Sequence, residues 1–562
     1  VRGIIYVVHV AYPCSDITIQ SDSLAVNLLN IITDVSAPIV DEPASARAGR
    51  HVTLVNPPLI GSKNSWNNRM TVPIGLAYVA GSAREAGHDV QIVDAVASAP
   101  DLARQVGKYI HQGLDPDEIA RRVRRDVEVI GVACMFTQDW PAARAVLNAL
   151  RSRFPDVILV MGGEHATALP EVSLRECPAL DFCVLGEGEL TFADILQNVR
   201  SKSDARHLSG LAYVDESGNF VKTEPRPRIG KKMSVPRPAW DLFDIEPYLA
   251  STNCFGVYRG RSIGVLATRG CPYKCTFCSN LTMYGQLWVP RDPADVLDEI
   301  EDYIRDYRVE NVDFYDLTMI IKRDWILKFC ELIEERGLTF TWQLPSGTRS
   351  EAIDEEVAKA LYRTGCRNIG YAPESGSPEV LKKVKKEVHL PRLVASIKGA
   401  VRAGLRIKIN MIIGFPFETR SNIFQTAFFC WKLAYYGVDD PLISIFSPYP
   451  GTVLFDELRR EGRIQAIDDE YYESMLACND PTVPASFCRA VNGFELMLWR
   501  LLIMSVFYGI SFTTRPSRLI QFLRSLWTGR GRETALENRL LEILALKKRQ
   551  AITKVPAATQ HA

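Results

Sequence analysis

Three cysteines carry the strongest chemical signal in the chain. They stand in Cys271-Pro272-Tyr273-Lys274-Cys275-Thr276-Phe277-Cys278, a C-x3-C-x2-C spacing. A loop with this spacing can fold three thiolates around one iron–sulfur cube. A fourth iron then has no protein ligand and stays open to a small molecule. The chain has 13 Cys in 562 residues. Chance would give the spacing about once in 150 such chains. The competing readings are a set of buried thiols, or a zinc site that would need a fourth ligand. Neither explains why the motif follows the apolar run Ser262-Ile263-Gly264-Val265-Leu266. Strand C-termini in such arrays are where barrel active sites lie.

Other polar residues close later apolar runs. Asp316 follows Val312–Tyr315, and Gln343 to Arg349 follows Phe340–Gln343. Glu374, Ser375 and Gly376 follow Tyr371-Ala372-Pro373, and Asn410 to Thr419 contains a Gly/Pro turn. Singly, each is equally well read as strand-end polarity and turn punctuation. In order, on one edge, they favour a bound cofactor. Tyr273, Tyr315 and Tyr371 lie near strand ends and read as packing.

These residues must be held by regular elements. Short apolar runs at 51–56, 89–94, 127–133, 157–161 and 181–185 alternate with helical patterns at 74–86, 116–125 and 142–153. This predicts an α/β fold with a doubly wound, Rossmann-like parallel sheet. A second array of six runs begins at Ser262 and ends near Phe446, as in a partial (β/α) barrel. From about 461 the pattern is helical to the end. The expected organisation is an extension (1–48), a first α/β domain (49–200), a connector with a β-hairpin (201–255), a barrel (256–460) and a helical region (461–562).

Composition sets the outer limits. Hydrophobic residues make up 47% and charged residues 23%, which excludes a disordered, collagenous or coiled-coil chain. Lys+Arg and Asp+Glu are both 66, so the broad basic field of a non-specific nucleic-acid binder is absent. The apolar N-terminal stretch lacks a signal-peptide h-region and cleavage site, so cytoplasmic location and reduced thiols are expected. The ten cysteines outside the triad read as structural thiols. No uncharged apolar run reaches 18 residues, because Phe494–Phe512 is interrupted by Glu495 and Arg500. No spanning helix is therefore expected. Nine Lys/Arg against three Glu between Arg515 and Arg549 allow contact with an anionic membrane surface. The plainer expectation is a helical cap with a solvated basic face.

The cysteine motif, with Phe277 before its last Cys and the array that follows, resembles the radical S-adenosylmethionine superfamily over about residues 256–455. The resemblance implies a 4Fe-4S cluster on Cys271, Cys275 and Cys278. The open iron would chelate S-adenosylmethionine, and one-electron reduction would yield a 5′-deoxyadenosyl radical. It also implies cofactor contacts from Phe277, Gln343, Arg349, Glu374 and Ser375. The family often has an acidic pair after the second strand. Here Leu317 follows Asp316, a departure from that pattern.

The first domain resembles the cobalamin-binding domain that precedes the barrel in a large subgroup of that superfamily. The matching segments are Asn56-Pro57-Pro58, Pro73-Ile74-Gly75-Leu76, Gly162-Gly163-Glu164-His165 and Gly186-Glu187-Gly188-Glu189. All follow strand ends, where such sheets bind ligands, and glycines there let a bulky cofactor approach. The implied contacts are Asn56, Pro57, Gly75, Gly162, Gly163, Glu164, Gly186, Glu187 and Gly188. A nucleotide site is the alternative for this sheet. The Asp-x-His-x-x-Gly motif that supplies an axial His is absent, so cobalamin without protein His ligation is expected. Together the resemblances imply a radical C-methyltransferase acting on a small-molecule or natural-product substrate. It would be fed by an external flavodoxin- or ferredoxin-type electron donor. An oxidative cyclase of the anaerobic tetrapyrrole type and a non-catalytic cobalamin or cluster sensor are the alternatives.

Overall fold

The first apolar runs fold into five parallel strands: β1 (His51–Asn56), β2 (Asp89–Asp94), β3 (Val129–Ala133), β4 (Ile158–Gly162) and β5 (Phe182–Val184). The computed structural model describes residues 49–62, 70–107, 109–230, 235–478, 480, 482–529, 534, 536–537, 540–541 and 553–554. The extension 1–48, with Cys14, lies outside them. The strands are apolar on both sides because both faces are covered. Val52, Leu54 and Val160 point into one core, and Val55, Leu159 and Met161 into the other. Helix α1 (Ile74–Glu85) covers the first face and α2 (Trp140–Arg153) the second. The sheet is therefore doubly wound, as expected.

The hairpin expected in the connector forms as β6 (Leu211–Val214) and β7 (Phe220–Lys222). It extends the first sheet, because Cys183 and Val184 of β5 pair antiparallel with Ala212 and Leu211. The full order is 7-6-5-4-3-1-2. A small antiparallel sheet of Leu59–Ser62, Ala103–Val106 and Tyr109–Gln112 was not legible in the sequence.

The second array forms β8 (Ser262–Val265), β9 (Asn311–Phe314), β10 (Thr341–Thr348), β11 (Cys366–Glu374), β12 (Arg406–Ile413) and β13 (Asp440–Ile445). All neighbours are parallel and lie in chain order, giving a six-stranded partial barrel. The register breaks between Leu344 and Thr348 in β10 and between Tyr371 and Glu374 in β11. Such bulges re-aim the side chains at strand ends.

Three helices close this side: α3 (Arg420–Tyr436), α4 (Gly493–Thr514) and α5 (Pro516–Thr528). By length and composition α4 could cross a membrane. The sequence placed interruptions at Glu495 and Arg500, yet the helix runs through both. Glu495 accepts hydrogen bonds from Arg420 at 2.7 and 2.6 Å. Arg500 is buried and donates to Ala477 O at 2.7 Å. Leu496, Ile503 and Phe507 on the same face pack into the barrel core. The helical pattern does not hold to the end: Thr553–Lys554 lie parallel to Arg104–Gln105 in the small sheet.

Candidate functional site

The cysteine loop is pinned through its backbone. Gly270 has φ +78°, and a Cβ there would sit 2.2 Å from Leu287 O, so this position requires glycine. Thr276 N donates to Val384 O (3.0 Å), and Leu454 N donates to Thr276 O (3.1 Å). Asn280 Nδ2 donates to Cys271 O (3.0 Å) and Gly285 O (2.9 Å). The anchors are backbone atoms, and the half-buried thiols of Cys271, Cys275 and Cys278 are all free. Burial pushes the Cys278 thiol up to about 12 and raises that of Cys275. Deprotonating them calls for a compensating positive charge such as a metal centre supplies. Among the described residues no group of three or more His, Cys, Asp or Glu gathers tightly enough for a single metal ion. Phe277 packs against Phe415 at 5.6 Å and so seats the loop on the core.

Two cations flank the thiols. The guanidinium of Arg349 lies 3.6 Å over the Tyr273 ring. It pairs with Glu351 at 3.1 Å and donates to Glu387 O. Its Nε and Nη1 are buried without a hydrogen-bond partner. Buried donors of this kind want an acceptor, and a guanidinium suits a carboxylate. Lys386 Nζ lies 2.9 Å from Glu374 Oε1. Burial raises the Cys275 thiol, while Lys386 and, more weakly, Arg349 oppose the rise, so both cations lie near that sulfur. Glu374 has φ +68°, a left-handed conformation that costs a non-glycine residue energy. Lys386 was missed in the sequence, because it lies past a helix end with no pattern marking it.

Not every expected residue reaches this space. Gln343 is buried, and its amide N–H groups donate to Val257 O (2.8 Å) and Asp313 Oδ1 (2.6 Å). It fixes the segment entering the barrel and has no donor left for a cofactor. Ser375 is buried, bonds Thr426 Oγ1 (3.0 Å) and accepts from Ser377 N (3.1 Å), so it braces α3. Asp316 accepts from Ala267 N (3.1 Å) and Thr268 Oγ1 (2.6 Å), and burial pushes its carboxyl up to about 6. Tyr371 is buried against Ser396 (2.9 Å).

The five parallel strands of the first sheet run in the order 2-1-3-4-5, which reverses between β1 and β3. That reversal opens a crevice at their C-terminal ends. Asn56 and Pro57 leave β1 there. Asn56 Nδ2 donates to Asp94 Oδ1 (2.9 Å) and Tyr248 OH (3.2 Å). Met135 and Phe136 leave β3 and are 47% and 48% exposed, an apolar wall that no local sequence pattern marks. Gly162 and Gly75 have room around them: a Cβ would meet only Val184 at 3.8 Å for the first and nothing within 4 Å for the second. Gly163 (φ +122°) and Gly186 (φ +72°) are needed for backbone conformation instead. Gly188 opens the helix 188–198 against Val79. His165 is a core residue, stacked on Trp140 at 5.0 Å and 3.1 Å from Ser173 Oγ. Burial pushes its pKa down to about 3.

The two edges meet. Glu164 is half-buried, desolvation raises its carboxyl above the ordinary value, and it hydrogen-bonds Ser279 just past Cys278. A Cβ added at Gly186 would meet Met283 O at 3.6 Å, so the two loops approach closely there. Glu187, expected to touch a cofactor, is instead paired with Arg228 (2.7 Å) and Arg269 (3.1 Å). Arg269 also pairs with Glu189 (2.6 Å) and lies 4.7 Å over the Tyr78 ring. Burial disfavours its charge, but Glu189 and the other anionic neighbours hold its pKa above the ordinary value. Arg269 directly precedes Gly270-Cys271, so this cluster locks the cysteine loop to the crevice.

Comparison with known proteins matches both domains. Residues 69–196 match the B12 binding domain model, and residues 265–430 match the Radical SAM superfamily model. An uncharacterized methyltransferase of Pyrococcus horikoshii is 31% identical over 408 residues, 72% of this chain and 82% of that protein. The cytidylyl-2-hydroxyethylphosphonate methyltransferase of Streptomyces wedmorensis is 28% identical over 376 residues, covering 62% and 70%. Among solved structures, the radical S-adenosylmethionine methyltransferase TsrM from Kitasatospora setae superposes with a TM-score of 0.57 at 18% identity. That match covers 74% of this chain and 76% of TsrM.

Proposed function

The chain belongs to the cobalamin-dependent radical S-adenosylmethionine enzymes, and from that membership we propose that it methylates an unactivated carbon of a small-molecule or natural-product substrate. The observation that carries the reading is the pairing of Arg269, next to the cysteine loop, with Glu187 and Glu189 of the crevice loop. When bound, the cluster with S-adenosylmethionine supplies a 5′-deoxyadenosyl radical, and cobalamin supplies the methyl group. Cys271, Cys275 and Cys278 hold the cluster, on free thiols in a loop anchored by its backbone. Arg349 takes the carboxylate of S-adenosylmethionine on its two unpaired N–H groups. Glu374, steadied by Lys386, accepts from the same ligand. Asn56, Pro57, Gly75, Gly162 and Glu164, with Met135 and Phe136, wall the crevice for cobalamin. His165 is committed to the core, which supports cobalamin bound without a histidine from this loop. Electrons come from an external flavodoxin- or ferredoxin-type donor.

The test is anaerobic reconstitution with iron, sulfide and cobalamin, followed by reductant and S-adenosylmethionine. 5′-Deoxyadenosine together with S-adenosylhomocysteine is the expected result. Deoxyadenosine without S-adenosylhomocysteine would favour an oxidative cyclase. Neither product, with the cluster fully loaded, would overturn catalysis and leave a sensor.

A further inference from the structure

The outer face of α3, α4 and α5 takes no part in the site, and its chemistry is unusual for a surface. On α5, Leu519, Ile520, Leu523 and Trp527 stand at i, i+1, i+4 and i+8 and form one stripe. Ile520 is 67% exposed and Trp527 90%. Phe494, Leu498 and Leu502 continue exposed apolar surface along α4, and Phe424 and Phe428 along α3. The helices are fastened to one another: α3 meets α4 through Trp431 Nε1 donating to Ile503 O (3.2 Å), and Phe512 of α4 packs on Phe522 of α5 (5.4 Å). Exposed apolar residues gathered on neighbouring helices in this way mark an interaction site.

We propose that this face docks the protein on an anionic lipid bilayer, with α5 lying in the plane of the interface. Three observations select lipid as the occupant. The first is charge. Between Gly493 and Gly529, Arg500 is buried, Arg518 pairs with Asp439, Arg515 donates to Ala434 O and Tyr435 O, and Glu495 pairs with Arg420, so the charge these helices leave to solvent is the cation of Arg524. Arg524 is exposed beside Leu523, and Lys432 is exposed on α3 between Phe428 and Tyr435. A second copy docking through this face would set basic residues against basic residues. An anionic headgroup layer neutralises them. The second is the path of the chain. The deeply buried residue of α5 is Ser525, on the side opposite the stripe, and Ser525 Oγ donates to Glu537 at 3.0 Å. The described chain after α5 thus packs on the inner side and leaves the stripe outward. The third is that α4 is held from within. Arg500 is bonded to Ala477 O and Tyr508 to Asp440, so α4 stays on the barrel and does not span. An apolar stripe ending in Trp, with Arg at its margin, is the chemistry of a helix lying on a membrane surface.

The test is flotation of the full chain with vesicles of phosphatidylglycerol and phosphatidylcholine, against vesicles of phosphatidylcholine alone. Flotation with the anionic vesicles only, falling as salt rises, is expected. The double variant Ile520→Glu/Leu523→Glu should float at least tenfold less, with an unchanged melting temperature, because both positions are exposed. Trp527→Ser, at the most exposed position, provides a second variant should the double one misfold, and should weaken flotation severalfold. No flotation of the wild type, or equal flotation of wild type and Trp527→Ser, would overturn the proposal. So would a wild-type dimer in sedimentation that Trp527→Ser converts to monomer without any vesicle binding.

Discussion

Replacing Arg269 with Met tests the lock between the two edges. Arg269, Glu187 and Glu189 have 12%, 6% and 7% side-chain exposure, so all three charges are largely withdrawn from water. Glu187 keeps Arg228 after the change, at 2.7 Å, whereas Glu189 loses its 2.6 Å partner. Removing one member of a buried ion pair strands the other and costs about 3–5 kcal/mol. Removing both members together costs far less, because no charge is left behind. Arg269→Met should therefore lower stability by about 3 kcal/mol or more, and Arg269→Met/Glu189→Gln should recover most of that loss. The assay is the urea midpoint of the first unfolding transition, followed by tryptophan fluorescence. A single variant within about 0.5 kcal/mol of wild type would refute the argument, since that is the size of a surface substitution. A double variant no more stable than the single one would refute it equally.

Cys275→Ala should abolish the brown absorbance after anaerobic reconstitution, and an unchanged spectrum would remove Cys275 from the ligand set. Arg349→Met deletes the unpaired guanidinium donors and should weaken S-adenosylmethionine binding about 10- to 100-fold by equilibrium dialysis, the worth of one charge-assisted hydrogen bond. Unchanged affinity would free the carboxylate role for another residue. Glu418 accepts from Gly414 N (2.6 Å) and Phe415 N (3.1 Å), yet burial pushes its carboxyl up from the usual range to about 7. The folded state then holds this proton more tightly than the unfolded chain does. Its contribution is complete below about pH 4.5 and is lost as pH rises through 7. Wild type should lose about 3 kcal/mol relative to Glu418→Gln between pH 5 and 8, read from denaturant midpoints. Parallel profiles for the two proteins would contradict this.

The strands of both sheets were legible because their apolar runs are buried on both sides and need no long-range information. The cysteine triad was legible because its spacing is local. Strand order was not legible, and with it the switch point between β1 and β3 that makes Met135 and Phe136 a crevice wall. At Glu187, a strand-end carboxylate looks the same in sequence whether it meets a cofactor or an arginine. Arg269 lies 82 residues away and nothing local announces it. Gln343 follows the same logic. It stands early in an eight-residue strand with a bulge, so its side chain turns to Val257 and Asp313, well before the strand's end.

The two backbone bonds that anchor Thr276 also set a timetable for making the protein. One partner is Val384 and the other Leu454, so the loop cannot close until roughly 180 further residues have left the ribosome. At ordinary elongation rates that is a delay of about 10 to 40 seconds. Through that interval the three thiols hang on an unfinished sheet, open to oxygen and to stray metal. A cluster on these thiols, as proposed, would therefore be seated only once the barrel is complete, and heterologous yield should depend on keeping nascent chains reduced until then.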